Sequence, residues 1–215
     1  MVPTASQADP PTGPFLTLLS KGLELWLRRQ CQEVDELELQ LEGAMGQLLQ
    51  GHLQGVRLQA RRVVFQNLQL EQATLASDPI HIKRPGLLPN QPLQLDAPFL
   101  VRGSVVFSGE GLSRSLTGPG MQELADLLSQ GLLGGGSLQG VQLVDRRLIL
   151  QALPSPGGEP EVCETHLALT SAGLQLCPLD GGNPFQVPLD EAITLERAEV
   201  HAGRLELAGV ALVQP

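Results

Sequence analysis

The chain has 215 residues, enough to bury a core as one large domain or two small ones. Charged residues reach only 17%, and with 3% aromatics and a net charge of −9 there are neither the stacking platforms nor the positive field that nucleic-acid binding uses. No apolar run approaches the roughly 18 residues that a membrane-spanning helix needs.

Residues 1–13 are polar and Pro-rich, without the basic start and apolar stretch of a secretory signal. They read as a disordered tail ahead of a cytoplasmic or peripherally membrane-associated domain. Cys31, Cys163 and Cys177 are an odd count with no CxxC, which fits a reducing compartment.

A helix is expected over 15–32, opened by Pro14 in its first turn. Its apolar positions form a wide face and Thr17, Lys21, Glu24 and Arg28 a single polar stripe, the pattern of a mostly enclosed helix. From Val34 the period becomes two: Leu37, Leu39 and Leu41 alternate with Glu36, Glu38, Gln40 and Glu42, a half-buried strand with a charged outer face. A Gly-punctuated stretch (43–55) leads to a strand over 56–65, interrupted by Arg61-Arg62. Apolar residues continue through Leu68, Leu70 and Leu75 to the break at Asp78-Pro79, and Ile80 and Ile82 form a short strand. The prolines at 85, 89 and 92 require a loop. Phe99 to Phe107 alternates again. Helical spacing covers 112–133, divided at Pro119, with the regular part from Gly120 and an end at Gly134 to Gly136. The remainder is strand-like: 138–144 and 147–153 joined at Asp145-Arg146, a hairpin turning at Ser171-Ala172, and a last hairpin turning at Ala202-Gly203.

One segment recurs. Leu53-Gln54-Gly55-Val56, then Leu58 and Arg61-Arg62, is matched by Leu138-Gln139-Gly140-Val141, then Leu143 and Arg146-Arg147. Such a match sets architecture before local detail. It suggests pseudo-repeat halves of about 14–110 and 111–215 within one domain. The expected fold is α+β, a strongly twisted antiparallel sheet curving around two apolar helices.

These residues resemble a known family. The Glu/Leu strand from Leu37, the Gly43 to Gly51 segment, Gly55-Val56-Arg57-Leu58, Val63-Val64-Phe65, and Val101-Arg102-Gly103-Ser104-Val105 with its following helix are similar to the LmeA-like phospholipid-binding family. The resemblance covers most of 15–215. It implies a fold like that of tubular lipid-binding domains, in which a curved sheet cradles a helix and acyl chains, and it implies phospholipid binding at a membrane.

Under that reading, Phe15, Leu19, Leu23 and Trp26 on the first helix and Phe65, Phe99 and Phe107 on strands are lipid-contact candidates. Plain core packing selects the same side chains. Arg57, Arg61, Arg62, Arg146 and Arg147, with Lys83 and Arg84, are head-group candidates, since guanidinium binds phosphate bidentately. Solvated strand ends or turns account for them equally, and the Arg-Arg recurrence points to a shared turn. His52, His81, His166 and His201 have no HxxxH or HExxH spacing, so no metal site is expected. A turn at Ser171-Ala172 sets His166 opposite Cys177 and aims Cys163 at the other face, which disfavours a Cys163–Cys177 disulfide. No GxSxG, P-loop or strand-following GxGxxG is present, so neither enzyme activity nor a cofactor is expected. The reading is non-catalytic binding of phospholipid or another apolar ligand between sheet and helix. The alternative is a protein-interaction scaffold whose core is filled by its own side chains.

Overall fold

A computed structural model describes residues 14–83, 95–153 and 161–215. The Pro-rich loop and Arg84 lie almost wholly or wholly outside them. Helix α1 spans Pro14–Gln30, followed by β1 (Glu33–Glu42), a short α2 (Met45–Leu49), β2 (His52–Leu53), β3 (Gly55–Phe65), β4 (Leu68–Ser77) and β5 (Ile80–His81). Then come β6 (Phe99–Ser108), α3 (Gly109–Thr117) and α4 (Gln122–Leu132). Strands β7 (Ser137–Val144), β8 (Arg147–Leu153), β9 (Glu161–Thr170), β10 (Gly173–Pro178), β11 (Phe185–Gln186), β12 (Ile193–His201) and β13 (Arg204–Val213) complete the chain.

The fold is α+β, with unclosed, twisted antiparallel sheets. The strands divide into a six-stranded sheet ordered β1-β3-β4-β6-β13-β12, a five-stranded sheet ordered β11-β10-β9-β8-β7, and a two-stranded ribbon of β2 and β5. Each tight turn sets two consecutive residues at positive φ, one of them a type that tolerates it: Gln66 and Asn67 (φ 49 and 66) join β3 to β4, and Asp145 and Arg146 (46 and 67) join β7 to β8. Ala202 and Gly203 (49 and 73) close the last hairpin. Two consecutive positive φ values give the turn whose twist matches that of paired strands.

Alternation breaks inside β3 for a local reason. Arg62 takes φ 48, so Arg61 and Arg62 are both exposed while Ala60 and Val63 are both buried. A left-handed residue re-aims the strand much as a bulge does. The two Arg-Arg pairs therefore do not share a turn: Arg61-Arg62 lies within β3, whereas Arg146 sits in the β7–β8 turn and Arg147 opens β8. Strand β13 pairs with β6 along its whole length, so a strand from 111–215 joins the sheet built by 14–110. The segment 112–133 is broken at Pro119 as expected, but its first part is as regular as its second. The Ser108 hydroxyl caps α3 by accepting from the Gly111 N–H at 3.0 Å.

The buried side chains form separate clusters. The first joins Leu112 and Leu116 of α3 and Ala125 and Leu128 of α4 to Leu150, Leu176, Phe107 and Leu205, and so lies between the two large sheets. The second sets Leu19, Leu23 and Leu27 of α1 against Leu39, Leu41, Leu53, Ile80 and Phe99. A third, smaller one gathers Leu37, Ala60 and Val63 beneath Leu27 and Cys31.

Candidate functional site

The inner face of the six-stranded sheet can be read in rows, because directly opposed residues share a face. One row runs Leu39, Leu58, Leu75, Gly103, Gly209, Leu195 across all six strands. Its two glycines face each other at the centre. A Cβ on Gly103 would collide with the Thr74 carbonyl oxygen, and one on Gly209 with that of Thr194. Only glycine fits where neighbouring strands approach so closely. The adjoining row on one side runs Leu37, Ala60, Ala73, Val105, Leu207, Ala198, and that on the other carries Ser77, Val101, Ala211 and Ile193. The half-buried stretch of the central row from Leu75 to Leu195 forms a shallow apolar trough, with the Leu75 side chain lying over Gly103. Leu75, Val101, Leu195, Ala211 and Val213 along it are half-buried, Ile193 is exposed, and none belongs to a core cluster of the described residues. At the β12 end a cavity of about 400 Å3 is lined by Val187, Leu189, Ile193 and Leu195, with Thr170 and Asp190 at its polar side.

Helix α1 lies against β1, the edge strand. The Ser20 hydroxyl accepts from the Leu41 N–H at 3.2 Å, and Arg28 donates to the Leu37 carbonyl at 3.0 Å. Both are groups that β1 would otherwise present to a further strand, so the helix seals the edge. Leu19, Leu23 and Leu27 pack inward. Leu25 and Trp26, by contrast, are 54% and 56% exposed. The expectation of a mostly enclosed helix is corrected here: one side is packed, and on the open side Leu25 and Trp26 stand exposed among Lys21, Gly22 and Arg29.

These observations bear on one comparison. The family model for LmeA-like phospholipid-binding proteins matches residues 13–210. The chain belongs to that family. No curated protein and no solved structure matches it.

Within this LmeA-like domain the lipid-contact candidates fall in different places. Phe15 lies in the first turn of α1. Leu19, Leu23 and Phe99 pack in the helix–sheet cluster, Phe107 is buried between the sheets, and Trp26 and Phe65 are exposed. The head-group candidates lie apart from the trough. Arg57 and Arg61 alternate with the inward Leu58 and Ala60 and so point from the opposite face. Arg57 pairs with Glu42 at 2.5 Å, Arg61 with Glu36 at 3.4 Å, Arg62 with Asp35, and Arg147 with Glu164 at 2.8 Å. Arg146 is exposed in its turn, and Lys83 is exposed just beyond β5. A cleft of about 450 Å3 over β1 and β3 holds Arg28 and Arg61 beside Asp35, Glu36 and Glu38, so carboxylates outnumber guanidiniums in it.

His166 is the cross-strand partner of Cys177, as the Ser171-Ala172 turn requires, while Cys163 is buried on the other face. All three cysteines are free. Burial, and secondarily the carboxylate of Asp180, pushes the Cys163 thiol above its ordinary range, which favours the unreactive protonated form. Among the described residues no three His, Cys, Asp or Glu side chains gather as a metal cluster, and no helix is long and apolar enough to cross a membrane. The trough itself was missed by sequence reasoning. Its signal was present as Gly103 and Gly209 inside otherwise apolar strands, where glycine marks a close approach of backbones.

Proposed function

We propose that this protein binds phospholipid without catalysing a reaction, laying acyl chains along the inner-face trough. It would meet the membrane through the exposed side of α1. The single observation that carries this reading is the row through Gly103 and Gly209. An apolar row whose two glycines let the strands close up, with Leu75 folded over Gly103 and with Leu75, Val101, Leu195 and Ala211 left half-exposed, suits a flexible aliphatic chain. Near-absence of aromatics makes the surface adaptable rather than shape-selective, as a carrier of mixed acyl chains requires. Family membership supports a lipid ligand.

The experiment is native mass spectrometry of the protein purified under mild conditions, followed by lipid extraction. A stoichiometric phospholipid is expected on the wild type and its loss in Val101→Asp and Ala211→Asp, with both variants folded by circular dichroism. A clean ligand-free mass with no uptake from phospholipid vesicles would overturn the carrier reading and leave a scaffold whose core is filled by its own side chains.

A further inference from the structure

The four histidines are scattered along the sequence, yet folding sets two of them side by side. His52 on β2 and His81 on β5 are direct cross-strand partners. Both are exposed, and their rings stand 4.9 Å apart, centre to centre, at 87°. Directly opposed residues share a face of the ribbon. The adjoining pair, Leu53 and Ile80, is buried in the cluster beneath α1, so the imidazoles project from the other side. The ribbon is extended by one more segment: Ile82 bridges Leu95, and the Asp96 N–H donates to the His81 carbonyl at 2.8 Å. Antiparallel register therefore puts Asp96 across from His81 on its second side. His52, His81 and Asp96 occupy one row.

We propose that His52 and His81 form an exchangeable binding site for a borderline divalent transition ion, the class that includes Zn2+, Ni2+ and Cu2+. Imidazole is a favoured ligand of these ions, whereas Mg2+ and Ca2+ prefer oxygen. The separation is right for shared ligation. With a Zn–N bond of about 2.0–2.1 Å, each ring centre lies about 3.2 Å from the metal, and a tetrahedral angle then spaces the centres by about 5 Å. The observed centre-to-centre distance of 4.9 Å is close to this spacing. Asp96 shares that row through its backbone bond to His81, and a carboxylate behind a metal-bound histidine is a common arrangement.

The backbones beside the pair are joined. Gly51 adopts φ +84, and its carbonyl accepts the Ile82 N–H at 2.8 Å. A Cβ at Gly51 would collide with the Ile82 carbonyl oxygen, so the backbones on either side of the histidines are held in close approach. A bound ion ties β2 to β5, and it stabilises the folded state by mass action. Two protein ligands leave the remaining positions to water, which makes the site open and exchangeable rather than structural.

The test uses the full chain without any affinity tag. ZnCl2 and NiCl2 are titrated calorimetrically, with MgCl2 and CaCl2 as hard-ion controls, against wild type, His52→Asn, His81→Asn and the double variant. These side chains are exposed, and circular dichroism verifies the fold. One equivalent of Zn2+ is expected, with affinity falling at least tenfold in each single variant, and a zinc-dependent rise in Tm is expected in the wild type alone. Absence of Zn2+ binding by the wild type at millimolar metal would overturn the proposal. So would wild-type affinity in the double variant. Loss of that affinity in Cys177→Ser instead would assign the ion to the Cys177–His166 pair.

Discussion

Replacing Leu25 and Trp26 together by serine tests the membrane-facing side of α1 directly. The two side chains are 54% and 56% exposed, so about half of each is free to enter a bilayer interface. A tryptophan offers about 150–250 Å2, and half of that at about 25 cal/mol per Å2 contributes about 2–3 kcal/mol. Half of a leucine adds about 1 kcal/mol. The sum of about 3–4 kcal/mol sets a ceiling of roughly 100- to 1,000-fold on vesicle partitioning. Insertion only to headgroup depth lowers it, so a loss of at least about tenfold is expected. Folding stability should move by no more than about 0.5 kcal/mol, since exposed positions away from caps and networks usually do no more. The assay is co-sedimentation with phosphatidylcholine–phosphatidylglycerol vesicles, alongside thermal melts. Trp26 is the only tryptophan in the chain, so its emission reports the same event in the wild type and should shift to the blue when vesicles are added. An emission maximum that stays fixed, or a double variant that binds within twofold of wild type, would refute the assignment of α1 to the membrane.

Other expectations concern how the scaffold is held. Ser20→Ala leaves the Leu41 N–H unsatisfied at a buried site and should cost about 1–3 kcal/mol in urea unfolding; a loss below about 0.3 kcal/mol would mean that α1 does not seal the edge. Ser115, fully buried, accepts from the Gln69 N–H at 2.8 Å and donates to the Gly111 carbonyl at 2.7 Å, so Ser115→Ala should loosen α3 from β4 at a similar cost, read by hydrogen exchange at Gln69. Leu150, also fully buried between the sheets, should lose about 3–5 kcal/mol on truncation to alanine. With its folded-state pKa raised, Cys163 favours the neutral thiol, so its contribution to stability is complete below the ordinary thiol range. That contribution falls as pH climbs through the range, and Cys163 should label more slowly with a disulfide reagent than Cys177, which is less buried. Equal labelling rates in the folded protein would contradict its burial.

How much of this was legible depends on the range of the interaction. Alternation in Leu37, Leu39 and Leu41 is a local property and located β1, and the turns at Ser171-Ala172 and Ala202-Gly203 fixed their hairpins. Pro119 divided α3 from α4 for an equally local reason, the missing N–H and the restricted residue before it. Strand order is different. That β6 pairs with β13 rests on contacts about a hundred residues apart, and no periodicity encodes them. The division into two sheets, the brief β11 that pairs only with β10, and the meeting of His52 with His81 span shorter separations but are likewise set by strand pairing, which local periodicity does not encode. The Arg-Arg recurrence misled because identical dipeptides can sit in a strand or a turn, depending on which residue adopts positive φ.

Helix α1 shows why an ambiguous signal can be an informative one. Its apolar residues were too many for one buried stripe, and enclosure on most sides was one way to satisfy them. The structure satisfies them in another way. Leu19, Leu23 and Leu27 fill the sheet-facing side, Ser20 and Arg28 complete the hydrogen bonding of β1, and Leu25 and Trp26 remain outside. A helix used in both directions cannot be deleted to test one of them. Removing residues 1–32 would uncover Leu39 and Leu41 and free the edge of a ten-residue strand, so aggregation rather than a folded non-binding protein is the expected result. A monomeric truncation with an unchanged Tm would show instead that the seal is dispensable. The membrane role of α1 would then rest on its outer residues alone.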